Sequence, residues 1–198
     1  MDCEWIELDG QPCRSTLLPG MESLWIEAER IWEQLQASPE FAAFVAADYR
    51  KVYQALVRLQ GRAVTMLEWG SGLGVVTIMA SRLGFEAYGI EIESRLVERS
   101  RRLAEEYGPE ARFVTGSFIP KEYEWDPEYG DENFRTRLEA EPGYHELDME
   151  LRDFDLVYAY PWPDEQPLFL DIMRRCGGEN ALFLGYDVRE GILLGRRR

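Results

Sequence analysis

The chain has 198 residues, 45% of them hydrophobic and 13% aromatic, which is enough for a single domain with a full core. Its formal net charge of −15 opposes the counterion displacement on which duplex binding depends, so nucleic acid is disfavoured as a partner. No apolar run is long enough for a transmembrane helix, and the acidic opening "MDCEWIELDG" lacks the basic-then-apolar order of a secretory signal.

The first twenty residues, with Pro12, Pro19 and Gly20, read as an irregular or weakly stranded lead-in. "MESLWIEAERIWEQLQAS" then has helical spacing, with Leu24, Trp25, Ala28, Ile31, Trp32 and Leu35 on one side. Ser38-Pro39-Glu40 reads as an N-cap with proline at the first helical position. The helix it opens runs to Gly61, with Phe41, Phe44, Val45, Tyr49, Val52, Leu56 and Leu59 as its apolar face. From Ala63 the rhythm changes. "AVTML" is a short apolar strand fit for burial on both faces. A glycine turn from Gly70 to Gly74 leads to the helix "VVTIMASRLG", and "FEAYGIEI" is a second strand. Ser94 caps an amphipathic helix with Leu96, Val97, Ser100, Leu103, Ala104 and Tyr107 inward, stopped by Gly108-Pro109. "ARFVTG" is a third strand.

Residues 121–150 interrupt the alternation with eleven acidic residues against three basic ones, a net of −8. They read as an insertion or long loop with a short helix near Phe134–Ala140, placed to cover a pocket, meet a basic partner or remain a solvated loop. "FDLVYAY" restores the pattern as a fourth strand, "QPLFLDIMRRCGG" is a helix, "ALFLGY" a fifth strand, and "GILLGRRR" an antiparallel strand after a turn at Arg189–Gly191. Alternation of this kind with right-handed crossovers builds a mainly parallel α/β sheet with helices on both faces. The expected layout is an N-terminal helical extension over 1–61 and a Rossmann-like core over 62–198.

Three cysteines without ligand spacing and a single histidine, His145, give no metal site and no disulfide framework. The chemistry concentrates in "MLEWGSGLGVVTIMASRLGFEAYGIEIES", Met66 to Ser94. A glycine turn after the first strand brings a ligand to bare backbone at the carboxyl edge of the sheet. The helix that follows offers free N–H groups and a positive dipole end. A dinucleotide fingerprint started at Gly70 puts Val75 at the third glycine site, and one started at Gly72 puts Thr77 there. Glu68 is poorly placed beside a pyrophosphate but well placed beside an ammonium. A ligand with a carboxylate, an ammonium, a sulfonium and a ribose suits the whole stretch, with Glu91 accepting both ribose hydroxyls; S-adenosylmethionine carries those groups.

"LEWGSGLG" and "YGIEIES" resemble motif I and the acidic second-strand position of class I S-adenosylmethionine-dependent methyltransferases. The resemblance runs from about Ala63 to Gly185. It implies cofactor contacts from Glu68, Gly70, Ser71, Gly72, Gly74, Glu91 and Ile92. Where the family often has an acidic residue for the adenine amino group, this chain has Ser117, whose hydroxyl can bond the ring while Phe118 packs on its face. The family also closes with a further helix and an antiparallel hairpin, whereas only about a dozen residues follow Tyr186 here. An abbreviated sheet edge, open to a partner or a second copy, is expected.

The fourth strand runs into "YAYPWPDEQ", a partial likeness to the D/N-P-P-aromatic segment of amino-methylating members. The Asp/Asn is replaced by Tyr160, and Trp162 separates Pro161 from Pro163. Tyr160 and Trp162 are candidates to wall the methyl-transfer site, since aromatic faces favour cations. Asp164 or Glu165 is a candidate proton acceptor. The alternatives are packing for Trp162 and helix capping for Asp164. The N-terminal helices are read as a flank of the substrate pocket or a packed layer, with Asp48, Tyr49 and Arg50 as candidate contacts.

The reading is a cytoplasmic methyltransferase acting on a small molecule or a protein side chain, of unstated oligomeric state. The alternative is a non-catalytic S-adenosylmethionine-binding module acting through a partner protein. A nucleotide-sugar or dinucleotide oxidoreductase is opposed by Val75 and Glu68.

Overall fold

The computed structural model describes residues 4–5, 17–37, 45–124, 136, 140–162, 164–187 and 189–196. A two-residue strand, β1 (Glu4–Trp5), precedes two helices. α1 (Met21–Gln36) buries Met21, Leu24, Ala28, Ile31 and Leu35, a spacing of three and four residues that forms one apolar stripe. α2 (Tyr49–Leu59) begins ten residues later than the expected helix at Pro39. Asp48 caps it by accepting from the Lys51 N–H at 3.1 Å, which fixes the start. Val45, expected on the apolar face, is 59% exposed in non-helical chain. Ser38, Pro39, Phe41 and Phe44 lie outside the described residues.

The core then alternates as β2 (Thr65–Trp69), α3 (Val75–Arg82), β3 (Glu86–Glu91), α4 (Ser94–Tyr107) and β4 (Arg112–Thr115). The inward positions expected for α4 are occupied as read, with Leu96, Val97, Ser100, Leu103 and Ala104 buried. Its N-cap, however, is Glu93, and Ser94 is already helical. Within the acidic stretch a short helix, α5, stands at Tyr144–Leu147. The helix expected at Phe134–Ala140 falls mostly outside the described residues, and Thr136 and Ala140 within it are bends. β5 (Leu156–Ala159), α6 (Gln166–Cys176), β6 (Leu182–Asp187) and β7 (Gly191–Arg196) complete the chain.

One seven-stranded sheet results, in the order β1-β7-β6-β5-β2-β3-β4. The five strands β2 to β6 pair in parallel. β7 is antiparallel to β6, as expected after the turn at Arg189–Gly191. The outer edge of β7, expected to be free, is covered at its end, where Glu4 and Trp5 pair antiparallel with Arg196 and Gly195. The N-terminal lead-in supplies that cover, and nothing in its composition signals so distant a partner.

Strand residues alternate between two hydrophobic layers. Met66, Ala87, Phe113, Leu156, Tyr158 and Leu184 pack under α1 to α4. Leu67, Trp69, Ile90, Val114, Val157 and Phe183 pack against α5, α6 and the 119–123 segment. That segment is clasped to α6 at a buried carboxylate. Asp171 accepts from the Tyr123 hydroxyl at 2.8 Å and pairs with Arg174 and Arg175. Burial pushes the Asp171 carboxyl up, but the Arg174 and Tyr123 hydrogen bonds outweigh it and hold the group below its ordinary range. Among the described residues no helix is long and apolar enough to cross a membrane.

Candidate functional site

The chain leaves β2 toward β3 and β4 on one side, then crosses back to β5 on the other. That reversal opens a crevice beyond the carboxyl ends of β2, β3 and β5, where ligands of open α/β sheets bind. The bend from Gly70 to Gly74 forms its floor. All three glycines there have positive φ, at 64°, 55° and 71°. Gly74 is the most constrained: a Cβ would lie 2.3 Å from the Phe113 ring and 2.9 Å from the Ser100 Cβ. Close packing of β4 and α4 beneath the bend excludes any side chain at that point.

The bend is internally bonded. The Ser71 N–H donates to the Ile90 carbonyl at 3.0 Å, and the Gly74 N–H to the Ser71 carbonyl at 2.7 Å. The Gly72 N–H donates to Glu91 Oε2 at 2.8 Å. Those three donors are spent, whereas helix geometry leaves the N–H groups of Val75 and Val76, in the first turn of α3, without intrahelical acceptors. Glu91 Oε1 accepts from the Glu93 N–H at 3.0 Å, and the Ile92 N–H also bonds its carboxylate. Burial pushes the Glu91 carboxyl up, and these backbone donors oppose the shift. Ile92 itself is half-buried.

Glu68 is 5% exposed. Its Oε2 accepts from the Thr77 N–H at 2.8 Å and the Thr77 hydroxyl at 2.5 Å, which makes it an external cap on the first turn of α3. Burial pushes its carboxyl up to about 8, against the pull of the two Thr77 bonds and with a smaller push from Glu91. Glu68 faces a cavity of about 70 Å³ above the bend, walled also by Trp32, Tyr49, Tyr158 and Tyr160. Burial lifts the Tyr49 hydroxyl to about 12, against a hydrogen bond from Trp32. Glu91 stands behind the bend rather than in the cavity wall, joined to it through Gly72.

The remaining sequence candidates divide. Tyr160 lines the cavity and meets Tyr186 edge-on at 5.1 Å. Trp162 is half-buried and Asp164 exposed, and neither is in the cavity wall. Pro163 lies outside the described residues. The position opening α6 is Glu165, not Asp164. Glu165 is buried and accepts from the Thr136 hydroxyl at 2.7 Å and the Thr136 N–H at 3.2 Å, which ties the acidic stretch to the loop after β5. Ser117 is buried, its oxygen accepting from the Ile119 N–H at 3.1 Å. Phe118 stacks on Trp69 at 5.1 Å and packs on Phe169 at 4.9 Å, so much of its ring surface belongs to the α6 layer. Of the candidate contacts at the head of α2, only Tyr49 reaches the cavity. Asp48 caps the helix, and Arg50 pairs with Glu22 at 3.1 Å and lies over Trp25.

Trp32 and Tyr158 are among the wall residues that the sequence does not single out. Trp32 was read only as part of an apolar stripe. Tyr158 sits two positions before Tyr160 in "VYAY", and the two-residue period of a strand puts both on one face, a signal that was present.

No protein-family model and no curated protein matches the sequence. Among solved structures, the chain is similar to an O-methyltransferase from Bacillus cereus in complex with SAH, with a TM-score of 0.57 and 17% identity over 88% of this chain and 70% of that one. It is similar to a methyltransferase from Geobacter sulfurreducens, at 0.53 and 15% over 92% and 100%. It is also similar to an RNA methyltransferase from Salinibacter ruber in complex with S-adenosyl-L-homocysteine, at 0.52 and 16% over 78% and 92%. At these identities the likeness is one of architecture: the chain has the Rossmann-like fold of class I S-adenosylmethionine-dependent methyltransferases.

Proposed function

We propose that the protein transfers a methyl group from S-adenosylmethionine to a small-molecule or protein acceptor. The observation that carries this reading is the pair of buried carboxylates, Glu68 and Glu91, anchored on either side of the glycine bend at the sheet's reversal point. The residues present fit the amino-acid end of that cofactor. Glu68 receives the ammonium, and the open N–H groups of Val75 and Val76 receive the carboxylate. Gly70, Ser71, Gly72 and Gly74 let the ligand approach the backbone. Glu91 has acceptor capacity beyond what its backbone donors use, and this takes the ribose end of the cofactor beside Ile92. Ser117 keeps its own O–H to offer the base, with the edge of Phe118 beside it. SAH bound in the Bacillus cereus and Salinibacter ruber proteins supports the same assignment.

Bound there, the cofactor supplies a methyl carbon activated by a sulfonium. The protein's part is to align the acceptor and exclude water. Tyr160, in the cavity wall, faces the transfer site, and half-buried Trp162, outside that wall, is the second aromatic assigned beside it, ring faces favouring positive charge. The acceptor's proton leaves to water or to exposed Asp164. In-line transfer draws most of its rate from alignment, so no buried dedicated base is required.

Isothermal titration with S-adenosylhomocysteine tests the reading. Binding in the micromolar range is expected. Glu91→Gln, which keeps an acceptor for the Gly72 N–H, is expected to weaken it by about tenfold or more, the worth of charge-assisted hydrogen bonds. Absence of binding to the unmodified protein defeats the proposal. The altered segment after β5, with Tyr160 in place of the Asp/Asn of amino-methylating members and Trp162 between Pro161 and Pro163, favours a second reading, a binding module without turnover. Transfer of labelled methyl to any acceptor, the protein itself included, removes that alternative.

A further inference from the structure

Tyr158 presents a buried group with no partner among the described residues. The residue is 2% exposed, and among the described residues its hydroxyl has neither donor nor acceptor. Buried hydroxyls are normally paired, and an unpaired one calls for an explanation. Sheet register supplies the setting: Tyr158 on β5 stands directly beside Glu68 on β2. Both side chains belong to the face covered by α2 and α3, and both line the cavity. The hydroxyls of Tyr49 and Tyr160 and the Glu68 carboxyl are among the groups acting on it.

Among the described residues, the wall of this cavity offers acceptor oxygens and aromatic faces, but no lysine, arginine or histidine. A cavity of that character lacks a cation. A primary ammonium has three N–H donors, and one carboxylate that already caps α3 through Oε2 does not use them all. Resting on the cofactor assignment above, we infer that the Tyr158 oxygen is a second acceptor for the cofactor's ammonium, beside Glu68, so that β5 as well as β2 reads the amino-acid end. The raised carboxyl of Glu68 agrees with this, since a buried acid without its cation holds a proton.

The test compares two ligands on two proteins. S-adenosylhomocysteine and its desamino analogue, in which hydrogen replaces the amino group, are titrated into the unmodified protein and into Tyr158→Phe. The variant is expected to keep or raise its melting temperature, because it loses a hydroxyl that has no partner among the described residues. It is expected to bind S-adenosylhomocysteine about tenfold more weakly, as for a hydrogen bond to a charged group, and the analogue with unchanged affinity. Equal losses for both ligands, or no loss for either, overturn the inference while leaving the cofactor assignment intact. Failure of the unmodified protein to bind S-adenosylhomocysteine defeats both. Should the variant not fold, the Cζ resonance of Tyr158 in the tyrosine-labelled parent protein decides the matter. It shifts with S-adenosylhomocysteine and not with the analogue if the contact exists, and responds alike to both if it does not.

Discussion

Two loops leave neighbouring strands at the same sheet edge and are built in opposite ways. The bend after β2 is held by its own backbone, with Ser71, Gly72 and Gly74 all donating inward and buried carboxylates on both sides. The loop after β5 depends on side chains. Tyr160 leans on Tyr186 and Trp162 is half-buried, while Asp164 stands in solvent. Its anchor is Glu165, gripping Thr136 from the acidic stretch. A shape fixed by backbone requires particular residues and tolerates little change. A shape fixed by side chains is free to diverge, which suits the acceptor-side role proposed for it above.

The sharpest way to break the first loop is Gly74→Ala. A left-handed backbone costs a side chain about 1–2 kcal/mol, and a methyl group 2.3 Å from the Phe113 ring adds an overpacking cost of about 1–3 kcal/mol. Together these are a large fraction of a domain's stability. Chemical denaturation is expected to show a loss of about 3 kcal/mol or more. A variant as stable as its parent contradicts the packing described beneath the bend.

This contrast also governs what was legible in the sequence. The left-handed bend at Gly70, Gly72 and Gly74, with Glu68 before it and Glu91 at the end of the next strand, is readable because its spacing is a local demand of one strand–turn–helix–strand unit. The five parallel strands were readable for the same reason, as apolar runs punctuated by caps and glycines. The start of α2 was misplaced because Ser38-Pro39 and Asp48 are both good helix openings, and sequence alone does not rank them. The pairing of Glu4–Trp5 with β7 was illegible because it joins the two ends of the chain. The state of the Tyr158 hydroxyl was illegible because it depends on three elements meeting around it.

A second test, smaller in effect, bears on the carboxylate facing the cavity. The folded protein holds the Glu68 proton up to about pH 8, while an unfolded chain releases it near the ordinary carboxyl value. Between those limits the folded state binds more protons than the unfolded one, so stability falls as pH rises. The full contribution is present below the unfolded value and is lost by the time pH passes the folded one. Glu91, also raised by burial, adds in the same direction. Glu68→Gln keeps an acceptor for Thr77 but has no proton to lose. Ligand-free, it is expected to gain a few kcal/mol over the parent on going from about pH 5 to about pH 8, as read by denaturation at both pH values. Parallel pH dependence in the two proteins shows that the Glu68 carboxyl is not raised.

The smallest expected effect is at the second loop and separates its two adjacent acids. Asp164 is exposed and does not hold the cap position of α6, so Asp164→Asn is expected to change stability by less than about 0.5 kcal/mol. If alignment carries the transfer, methylation rates change by no more than about threefold, since water accepts the proton as readily. Glu165→Gln replaces a buried carboxyl but retains an acceptor for Thr136, and is expected to cost about 1 kcal/mol through the weakened tie. A rate loss of about a hundredfold at Asp164, with stability unchanged, makes that residue the proton acceptor after all. The loop after β5 would then hold a placed catalytic side chain, and its difference from the bend after β2 would be one of chemistry, not of rigidity.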